Sequence, residues 1–218
     1  MHDDRPLLSI VVPDAFIYCA PLLQKSLLEI QKNTQVEVIF IAKEEAMTRA
    51  ERLNKGFFQT KAQIILFHHP RSWLSADAFS LLLKLSQNKP IWGGFTHQFD
   101  ISHPLLKFTS WYSNFIRGRR GILYLDHCIY FHRSLWTQDI LPVAIFEDTI
   151  LSKNFLKQMP PIIQKPISYT SAIRFVKNGI WRQAVMNQFL KVAFYFKLPQ
   201  DKMNTIYEKG LGLNDPKK

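Results

Sequence analysis

The amino-acid sequence predicts an α/β protein with an open, mostly parallel β-sheet and helices on both faces. Three short apolar runs carry this prediction, because each has the length and the composition of a strand buried on both faces. The runs cover residues 7–13, 36–42 and 63–67. Segments with the apolar spacing of helices separate them, and such alternation is typical of parallel sheets. In these sheets ligands bind beyond the carboxyl ends of the strands.

Helices are predicted where apolar residues recur at every third or fourth position. Pro21 suits the first turn of the first helix, since its fixed backbone angle fits there and its missing N–H is not needed. After Pro90 the pattern changes to short strands, an aromatic helix, a glycine-led loop that enters a strand, and a basic loop. The predicted helices cover residues 21–30, 43–58, 76–85, 105–116, 183–198 and 199–207, the later strands 91–95, 98–100 and the end of 121–131, and the basic loop 169–182.

Two of these helices are rich in aromatic residues. The helix at 105–116 carries several aromatic side chains that are predicted to lie in the core rather than to form a ligand platform. The helix at 183–198 has an apolar side that either rests on a membrane surface or packs against the domain, and packing is the commoner use of such a helix. The aromatic residues of the helix at 105–116 are Phe108, Trp111, Tyr112 and Phe115.

Composition indicates one globular domain. The 218 residues are 47% hydrophobic and 21% charged, which suits a single domain over residues 1–207 and a polar, mobile tail over 208–218. No apolar run is long enough to span a bilayer, and the first residues lack the basic-then-apolar pattern of a signal peptide. Cys19 and Cys128 lie in apolar stretches without metal-binding spacing, so they are predicted to be buried free thiols of a cytoplasmic protein.

The charge balance indicates anionic partners. With 28 basic and 17 acidic residues the net charge is +11, which attracts nucleic acids, anionic membrane faces and phosphorylated substrates. The densest basic cluster is Arg117, Arg119 and Arg120, which either contacts an anionic acceptor or membrane or forms a solvated loop. The sequence has no helix-turn-helix, zinc-finger or RNA-recognition signature, so no motif supports a nucleic-acid partner.

The candidate catalytic residues are two adjacent carboxylates, Glu147 and Asp148. They follow a strand-like apolar run, 141–146, and precede a short helical pattern. The free N–H groups and the dipole of a helix N-terminus favour negative charge, so we expect the ionised form, which a general base requires. The alternative is a charge pair that only stabilises the first turn of the helix.

The histidines and the missing short motifs argue against a metal site and against two classes of enzyme. His68 and His69 would suit a metal site, but no cysteine or carboxylate lies at ligand spacing, so a hydrogen-bonded, partly buried histidine pair is expected. The sequence has no Gly-Lys-Ser/Thr phosphate loop and no Gly-x-Ser-x-Gly motif. Their absence argues against nucleotide hydrolysis and against hydrolase chemistry.

Taken in order, these motifs resemble family 2 glycosyltransferases of the GT-A fold. The resemblance is greatest to a bacterial subgroup of small, single-domain members known as selenodomain-associated transferases, and it extends to about Tyr207. Each motif alone is common, whereas the ordered set is specific. The motifs are Ser9 to Pro13; Arg49 with Leu53, Asn54, Lys55 and Gly56; Gly93, Gly94 and Phe95; Gly121 with Asp126 and His127; Phe146, Glu147 and Asp148 with Leu151 and Ser152; and Thr170 to Arg174 with Lys177, Gly179, Trp181 and Arg182.

The resemblance implies inverting transfer of a sugar from a nucleotide-sugar to an acceptor hydroxyl. Asp148 matches the family's catalytic base, with Glu147 as its neighbour. Asp126 matches an acceptor-side acid, and His127 lies beside it. Basic residues would offset the charge that grows on the leaving diphosphate. The residues expected on the donor and phosphate side are Arg49, Asn54, Arg71, Arg174, Lys177 and Arg182.

The donor half departs from the pattern of that family. The family follows its second strand with an Asp-rich loop that holds the nucleotide, and here Ile41 runs into 42–45 with that segment missing. Asp14 is the candidate donor residue after the first strand. Arg71 stands where the family has its metal-binding aspartate. A guanidinium offers no lone pair to a divalent cation, although its planar fork binds phosphate.

These departures leave two main interpretations. In the first, the protein is a glycosyltransferase without a metal cofactor, and Arg71 does the electrostatic work of the metal. In the second, the donor site has decayed, and the protein is a catalytically silent relative that binds a partner or an anionic ligand. A basic nucleic-acid-binding module is a third interpretation. The partners expected for the first are a nucleotide-sugar, an unknown acceptor and an anionic membrane at its cytoplasmic face.

Overall fold

The structure, a computed structural model, contains one sheet of seven strands in the order β2-β1-β3-β6-β5-β7-β4. It describes residues 5–13, 21–30, 33–42, 47–85, 87–143, 145–199, 202–203 and 205–206. The predictions for Asp14, Cys19 and the tail 208–218 concern residues outside this part of the chain. The strands are β1 (Leu8–Pro13), β2 (Val36–Ile41), β3 (Ile64–Phe67), β4 (Ser72–Leu74), β5 (Trp92–Phe99), β6 (Ile129–His132) and β7 (Ile162–Thr170).

Helices cover both faces of this sheet. The second one begins at Arg49, where Thr48 and Glu51 form a capping box, and the part of the predicted helix at 43–46 lies outside the described residues. The helices are α1 (Pro21–Ile30), α2 (Arg49–Gln59), α3 (Ala76–Leu83), α4 (Pro104–Trp111), α5 (Glu147–Leu156), α6 (Ile173–Asn178) and α7 (Ile180–Tyr195). Helix α4 continues into a π-helical turn, Tyr112–Arg117.

The strand pairing confirms the predicted α/β class. β1 runs parallel to both β2 and β3, and β5 runs parallel to β7. β6 lies between the two parallel groups and is antiparallel to β3 and β5, while β4 closes the far edge antiparallel to β7. The parallel pairs need long crossovers, which α1, α2 and the later helices supply.

The core lies in two layers, one on each face of the sheet. Val11 of β1 points to a cluster that contains Phe57 of α2 and Phe155 of α5. Its neighbour Ile10 points to the opposite cluster, which contains Leu23 of α1 and Phe79 of α3. Successive side chains of a strand alternate between faces. This arrangement confirms that the first strand is apolar because both of its faces are buried.

The second half of the sheet differs from its prediction. A single strand, β5, replaces the two short strands at 91–95 and 98–100. β7 occupies 162–170, where no strand was predicted, and α6 forms inside the predicted basic loop. Pro166 lies within β7, and a proline argues against a strand because it cannot donate a ladder hydrogen bond. The pairing of β5 with β7 accommodates it with a register shift between Phe95 and Thr96.

Gly93 permits the close contact between β5 and β7. A Cβ atom at this position would lie 1.8 Å from the carbonyl oxygen of Ile162 and 2.8 Å from the hydroxyl of Tyr130. Both distances are shorter than non-bonded contacts allow, so only glycine fits without movement of the backbone. The glycine of this motif therefore has a packing reason that is independent of any ligand.

The prediction that the aromatic residues of α4 and its π-helical extension lie in the core is wrong. Phe108, Trp111 and Phe115 expose 58%, 48% and 49% of their surface. Helix α7 likewise buries only one side, through Met186, Leu190 and Ala193, and exposes apolar residues on the other. None of the described helices is long and apolar enough to cross a membrane.

Candidate active site

A cavity opens beyond the carboxyl ends of three strands, where ligands bind in sheets of this kind. His69 follows β3, Phe99 ends β5, and Ser171 follows β7, and all three line the cavity. Its remaining walls come from the start of α5, from the 3₁₀ turn Leu125–His127, from α4 with its π-helical extension, and from α7. The cavity therefore collects side chains that lie far apart in the sequence.

Asp148 lies in the first turn of α5 and faces this cavity. The predicted strand at 141–146 is absent from its described residues, and Phe146 instead turns the chain into α5 with a left-handed φ of 65°. The Phe146 ring packs against Phe194 of α7 at 4.6 Å between ring centroids. Asp148 is 8% exposed, and its Oδ2 accepts a hydrogen bond from the backbone N–H of Leu125 at 3.1 Å.

Burial and, after it, the adjacent charge of Glu147 raise the pKa of Asp148 to about 7, against the opposing effect of Arg49. We expected the helix N-terminus to favour the ionised form of Asp148. That expectation is wrong, because the raised pKa means that the surroundings as a whole favour the protonated form. The loss of solvent around the carboxylate outweighs the favourable helix dipole, which is worth about 0.3–1 kcal/mol at an exposed site. A carboxyl with a pKa near 7 exchanges its proton readily at neutral pH.

Glu147 is fully buried behind the cavity wall. It forms an ion pair with the Nε of Arg49, the first residue of α2. Arg49 itself lines the cavity, whereas Glu147 does not. This pair joins the start of α2 to the start of α5, and removal of one partner from a buried pair leaves an uncompensated charge. We assign Glu147 to the positioning of Arg49 and of the helix that carries Asp148.

Asp126 is a second carboxylate in the cavity. Its Oδ1 lies 3.5 Å from the Nε2 of His69. Burial among protein atoms acts to raise the pKa of Asp126, but His69, His97 and Arg71 outweigh it and hold the pKa at about 2. Burial also holds the pKa of His69 well below its usual value. At neutral pH the cavity therefore contains an ionised Asp126 beside a neutral histidine.

Basic side chains outnumber the carboxylates that line the cavity. Arg71 lies in the same cavity as Arg174 and Asp148, and its carbonyl oxygen accepts a hydrogen bond from the N–H of Ser171 at 2.9 Å. Against Asp126 and Asp148 stand five cationic groups, so the cavity favours an anionic ligand. The five are Arg49, Arg71, Arg117, Arg174 and Lys191.

Besides Glu147, four of the predicted site residues do not line the cavity. His127 is buried, with Nδ1 at 2.9 Å from the carbonyl of Phe95 and Nε2 at 2.9 Å from the hydroxyl of Ser113. Asn54 holds the backbone of Ile140 through two hydrogen bonds of 2.9 and 3.0 Å. Both therefore have packing roles in the described structure. The other two, Lys177 and Arg182, are exposed.

Sequence reasoning missed three other residues of the cavity. His97 of β5, Tyr124 and Lys191 of α7 line it without belonging to any motif. Lys191 lies in a helix whose sequence is mostly apolar. It could not be predicted as a cavity residue, because its position depends on how α7 packs against the rest of the protein. His97 had a usable signal, because it lies at the carboxyl end of a buried strand, where binding residues concentrate in α/β proteins.

The residues at the end of β3 do not fit a divalent cation. Arg71 brings a positive charge without a lone pair, and among the described residues no group of three or more His, Cys, Asp or Glu side chains is arranged to hold a metal. The histidine pair is confirmed as hydrogen-bonded: the Nδ1 of His68 lies 2.9 Å from the His69 carbonyl and its Nε2 lies 3.1 Å from the hydroxyl of Ser26. Cys128 is confirmed as a buried free thiol.

Replacement of Asp148 by Asn is expected to change how stability depends on pH. The pKa of Asp148 is raised in the native protein to about 7, above the value of about 3.9 in an unfolded chain. The native state therefore binds this proton more tightly, and the wild-type free energy of unfolding falls as the pH rises between those two values. Asn does not titrate, so the Tm of Asp148→Asn relative to wild type should be higher at pH 8 than at pH 5.

Calorimetry at the two pH values measures this difference. The exposed Asp139, changed to Asn, serves as the matched control and should show no comparable increase. An equal Tm difference at pH 5 and pH 8 for Asp148→Asn would contradict the raised pKa.

No protein-family model matches the chain, and no curated protein matches it. Among solved structures, residues 1–349 of S. aureus TarS superpose with a TM-score of 0.56 at 9% identity, covering 94% of this chain and 71% of that one. The mannosyltransferase PcManGT from Pyrobaculum calidifontis, in complex with GDP-Man and Mn²⁺, gives 0.54 at 12% identity, covering 85% of this chain. This chain spans 62% of the mannosyltransferase and 43% of the chain in another TarS structure. The predicted GT-A-like fold is thereby confirmed.

Proposed function

We propose that the protein is an inverting glycosyltransferase, which transfers a sugar from a nucleotide-sugar to an acceptor hydroxyl. The observation that carries this proposal is a buried carboxyl, Asp148, that faces a cavity with an excess of cationic side chains. The TarS structures solved with UDP and with UDP-GlcNAc, and the mannosyltransferase solved with GDP-Man, support a nucleotide-sugar as the donor.

In this proposal Asp148 is the general base. It takes the proton of the acceptor hydroxyl while the acceptor oxygen attacks the anomeric carbon from the side opposite the nucleoside diphosphate. One C–O bond forms, the C–O bond to the diphosphate breaks, and the diphosphate leaves with the electron pair. A general base is most effective when its pKa lies near the working pH, and the pKa of Asp148 lies near 7.

Arginines take the place that a divalent metal has in the related family. The leaving diphosphate gains negative charge as its bond breaks, and cationic groups fixed in advance stabilise that charge. Arg71 and Arg174 line the same cavity as the base, and Arg49 extends into it from its ion pair with Glu147. A guanidinium also donates two parallel hydrogen bonds to phosphate oxygens. We therefore propose a reaction without a metal cofactor.

Asp148→Asn is expected to reduce turnover by about a hundredfold or more, because the general base is lost. The assay is the release of UDP or GDP from a panel of nucleotide-sugars, with calorimetry to show that nucleotide binding is retained. Asp139→Asn is the control. Unchanged release by a folded Asp148→Asn variant would exclude this base. Nucleotide binding by a wild-type protein that releases no product would favour the catalytically silent relative.

Arg71→Ala is expected to weaken the binding of UDP or GDP by about 1.5–3 kcal/mol, the scale of a hydrogen bond to a charged group. Titration calorimetry with and without EDTA measures the affinity, and EDTA should leave it unchanged. Arg119→Ala, at an exposed position outside the cavity, is the control. No heat with any nucleotide on the wild type would refute a working donor site, and a strict need for Mn²⁺ would refute the metal-free reaction.

We also propose that the protein contacts an anionic membrane at the cytoplasmic face. Helix α7 exposes an apolar stripe at intervals of three and four residues. Phe108, Trp111 and Phe115 are exposed on α4 and its π-helical extension, which line the same cavity through other residues. The stripe consists of Trp181, Val185, Phe189, Val192 and Phe196, exposed by 53–71%. No Asp or Glu occurs between Thr149 and Gln200, whereas lysines and arginines recur. An apolar helix face within a basic segment suits anionic lipid headgroups.

Vesicle sedimentation tests this membrane contact. The wild type is expected to bind vesicles that contain phosphatidylglycerol, and a Val185→Ser, Phe189→Ser variant is expected to lose most of that binding because the apolar stripe is interrupted. Phe58→Ser is the control, since Phe58 is 65% exposed on α2 and lies outside the stripe. Equal binding by the two variants, or none by the wild type, would refute the contact.

A further inference from the structure

Two cationic side chains face each other on the α7 side of the cavity. Arg117 ends the π-helical turn and stacks on the ring of Tyr124, with its guanidinium carbon 4.0 Å from the ring centroid. Lys191 approaches the same ring from α7, with its Nζ at 5.9 Å. Both line the cavity, so a ligand there meets two positive charges together with an aromatic ring.

Neither member of this cationic pair forms an ion pair with a carboxylate among the described residues. The ion pairs found there join other groups, Arg49 to Glu147 and His69 to Asp126. Burial and, after it, the nearby charge of Arg117 lower the pKa of Lys191 to about 8. Two like charges held close together repel each other, which is destabilising for the protein. An anionic ligand would relieve that repulsion.

His97 gives a second, independent sign of a ligand in this part of the cavity. It lines the cavity and is 4% exposed, yet neither of its ring nitrogens has a hydrogen-bond partner in the described part of the chain. Burial lowers its pKa, and Arg117 acts in the same direction against the opposing Asp126. A neutral imidazole offers one donor and one acceptor, and buried polar groups normally have partners.

The pair lies next to the catalytic base of the proposed reaction. Tyr124 directly precedes Leu125, whose N–H donates to the Oδ2 of Asp148. The charge of Asp148 also raises the pKa of Tyr124, after the larger effect of burial, which places the two side chains within electrostatic reach. An anionic group bound by Arg117 and Lys191 would therefore bring its neighbouring atoms to Asp148.

We propose that Arg117, Lys191 and His97 form the acceptor subsite, and that the acceptor carries a phosphate group next to the hydroxyl that receives the sugar. Arg117 and Lys191 bind the phosphate oxygens, and His97 forms a hydrogen bond beside them. This assignment rests on the proposed glycosyl transfer. It leaves Arg49, which forms an ion pair with Glu147, and Arg71, which directly precedes β4, for the nucleotide diphosphate.

Two probes distinguish the sources of such a phosphate. Glycerol 3-phosphate represents a soluble phosphate ester, and dihexanoyl-phosphatidylglycerol below its micelle concentration represents a lipid headgroup. Binding is measured by titration calorimetry at low salt, with and without saturating UDP. The wild type is expected to bind at least one probe, and Arg117→Gln and Lys191→Gln are each expected to weaken that binding about tenfold, as for a lost hydrogen bond to a charged group.

Control variants separate this subsite from the donor site. Arg119→Gln removes an equal charge from an exposed position two residues from Arg117, and Arg71→Ala changes the donor side. Both should bind the probe like the wild type. The proposal is overturned if neither probe binds, or if Arg71→Ala weakens probe binding while the Arg117 and Lys191 variants do not. Failure of the proposed transfer would appear separately, as absent binding of UDP and GDP.

His97→Phe supplies a readout that a purely structural histidine would not give. The phenyl ring has a similar shape and needs no hydrogen bond, so the variant should have an unchanged or higher Tm. The same variant should bind the probe several times more weakly. Wild-type affinity in His97→Phe, or a lowered Tm, would remove His97 from the subsite.

Discussion

The candidate active site depends on two adjacent carboxyls at the start of α5. Both are shielded from water, but their side chains have different surroundings. Glu147 is buried against Arg49 and forms an ion pair, whereas Asp148 faces the cavity and receives hydrogen bonds from backbone N–H groups. Because like charges at short distance resist joint ionisation, the pairing of Glu147 helps to keep the pKa of Asp148 high. Glu147 and Asp148 are successive residues of α5, so their side chains leave the helix about 100° apart around its axis and reach different surroundings.

The cationic groups of the cavity come from separate elements of the fold. Arg49 begins α2 and Arg71 directly precedes β4, while Arg117 ends the π-helical extension and Lys191 lies in α7. Asp126 lines the same cavity and stays ionised, with a pKa of about 2. Several cationic groups around two carboxyls suit anionic substrates, because the positive charges neutralise them.

The sequence predicted the parts of the structure that local rules determine. Buried parallel strands show as unbroken apolar runs, so β1, β2 and β3 were found to within a residue or two. The start of a helix at Glu147 and Asp148 and the presence of Arg71 in the cavity were also predicted, although the strand expected before that helix is absent.

Other features depend on tertiary structure and were missed. β7 was missed because Pro166 argues against a strand. The exposure of Trp111 and Phe115 was missed because burial of a helix face depends on its tertiary neighbours. His127 and Asn54 matched the family in sequence, but their hydrogen bonds go to the protein itself.

The helices that line the acceptor side also carry the exposed apolar surface. Ser113 and Arg117 of the π-helical extension face the cavity, while Phe115 of the same extension and Trp111 at the end of α4 are exposed. Helix α7 repeats this division, with Asn187 and Lys191 in the cavity and an apolar stripe outside. If that surface lies on an anionic membrane, the cavity opens next to the headgroups, and an acceptor with a phosphate group would reach Asp148 without leaving the interface. Helix α4 with its π-helical extension and helix α7 would then supply both the positive charge that selects the acceptor and the membrane-binding surface that brings the acceptor close to Asp148.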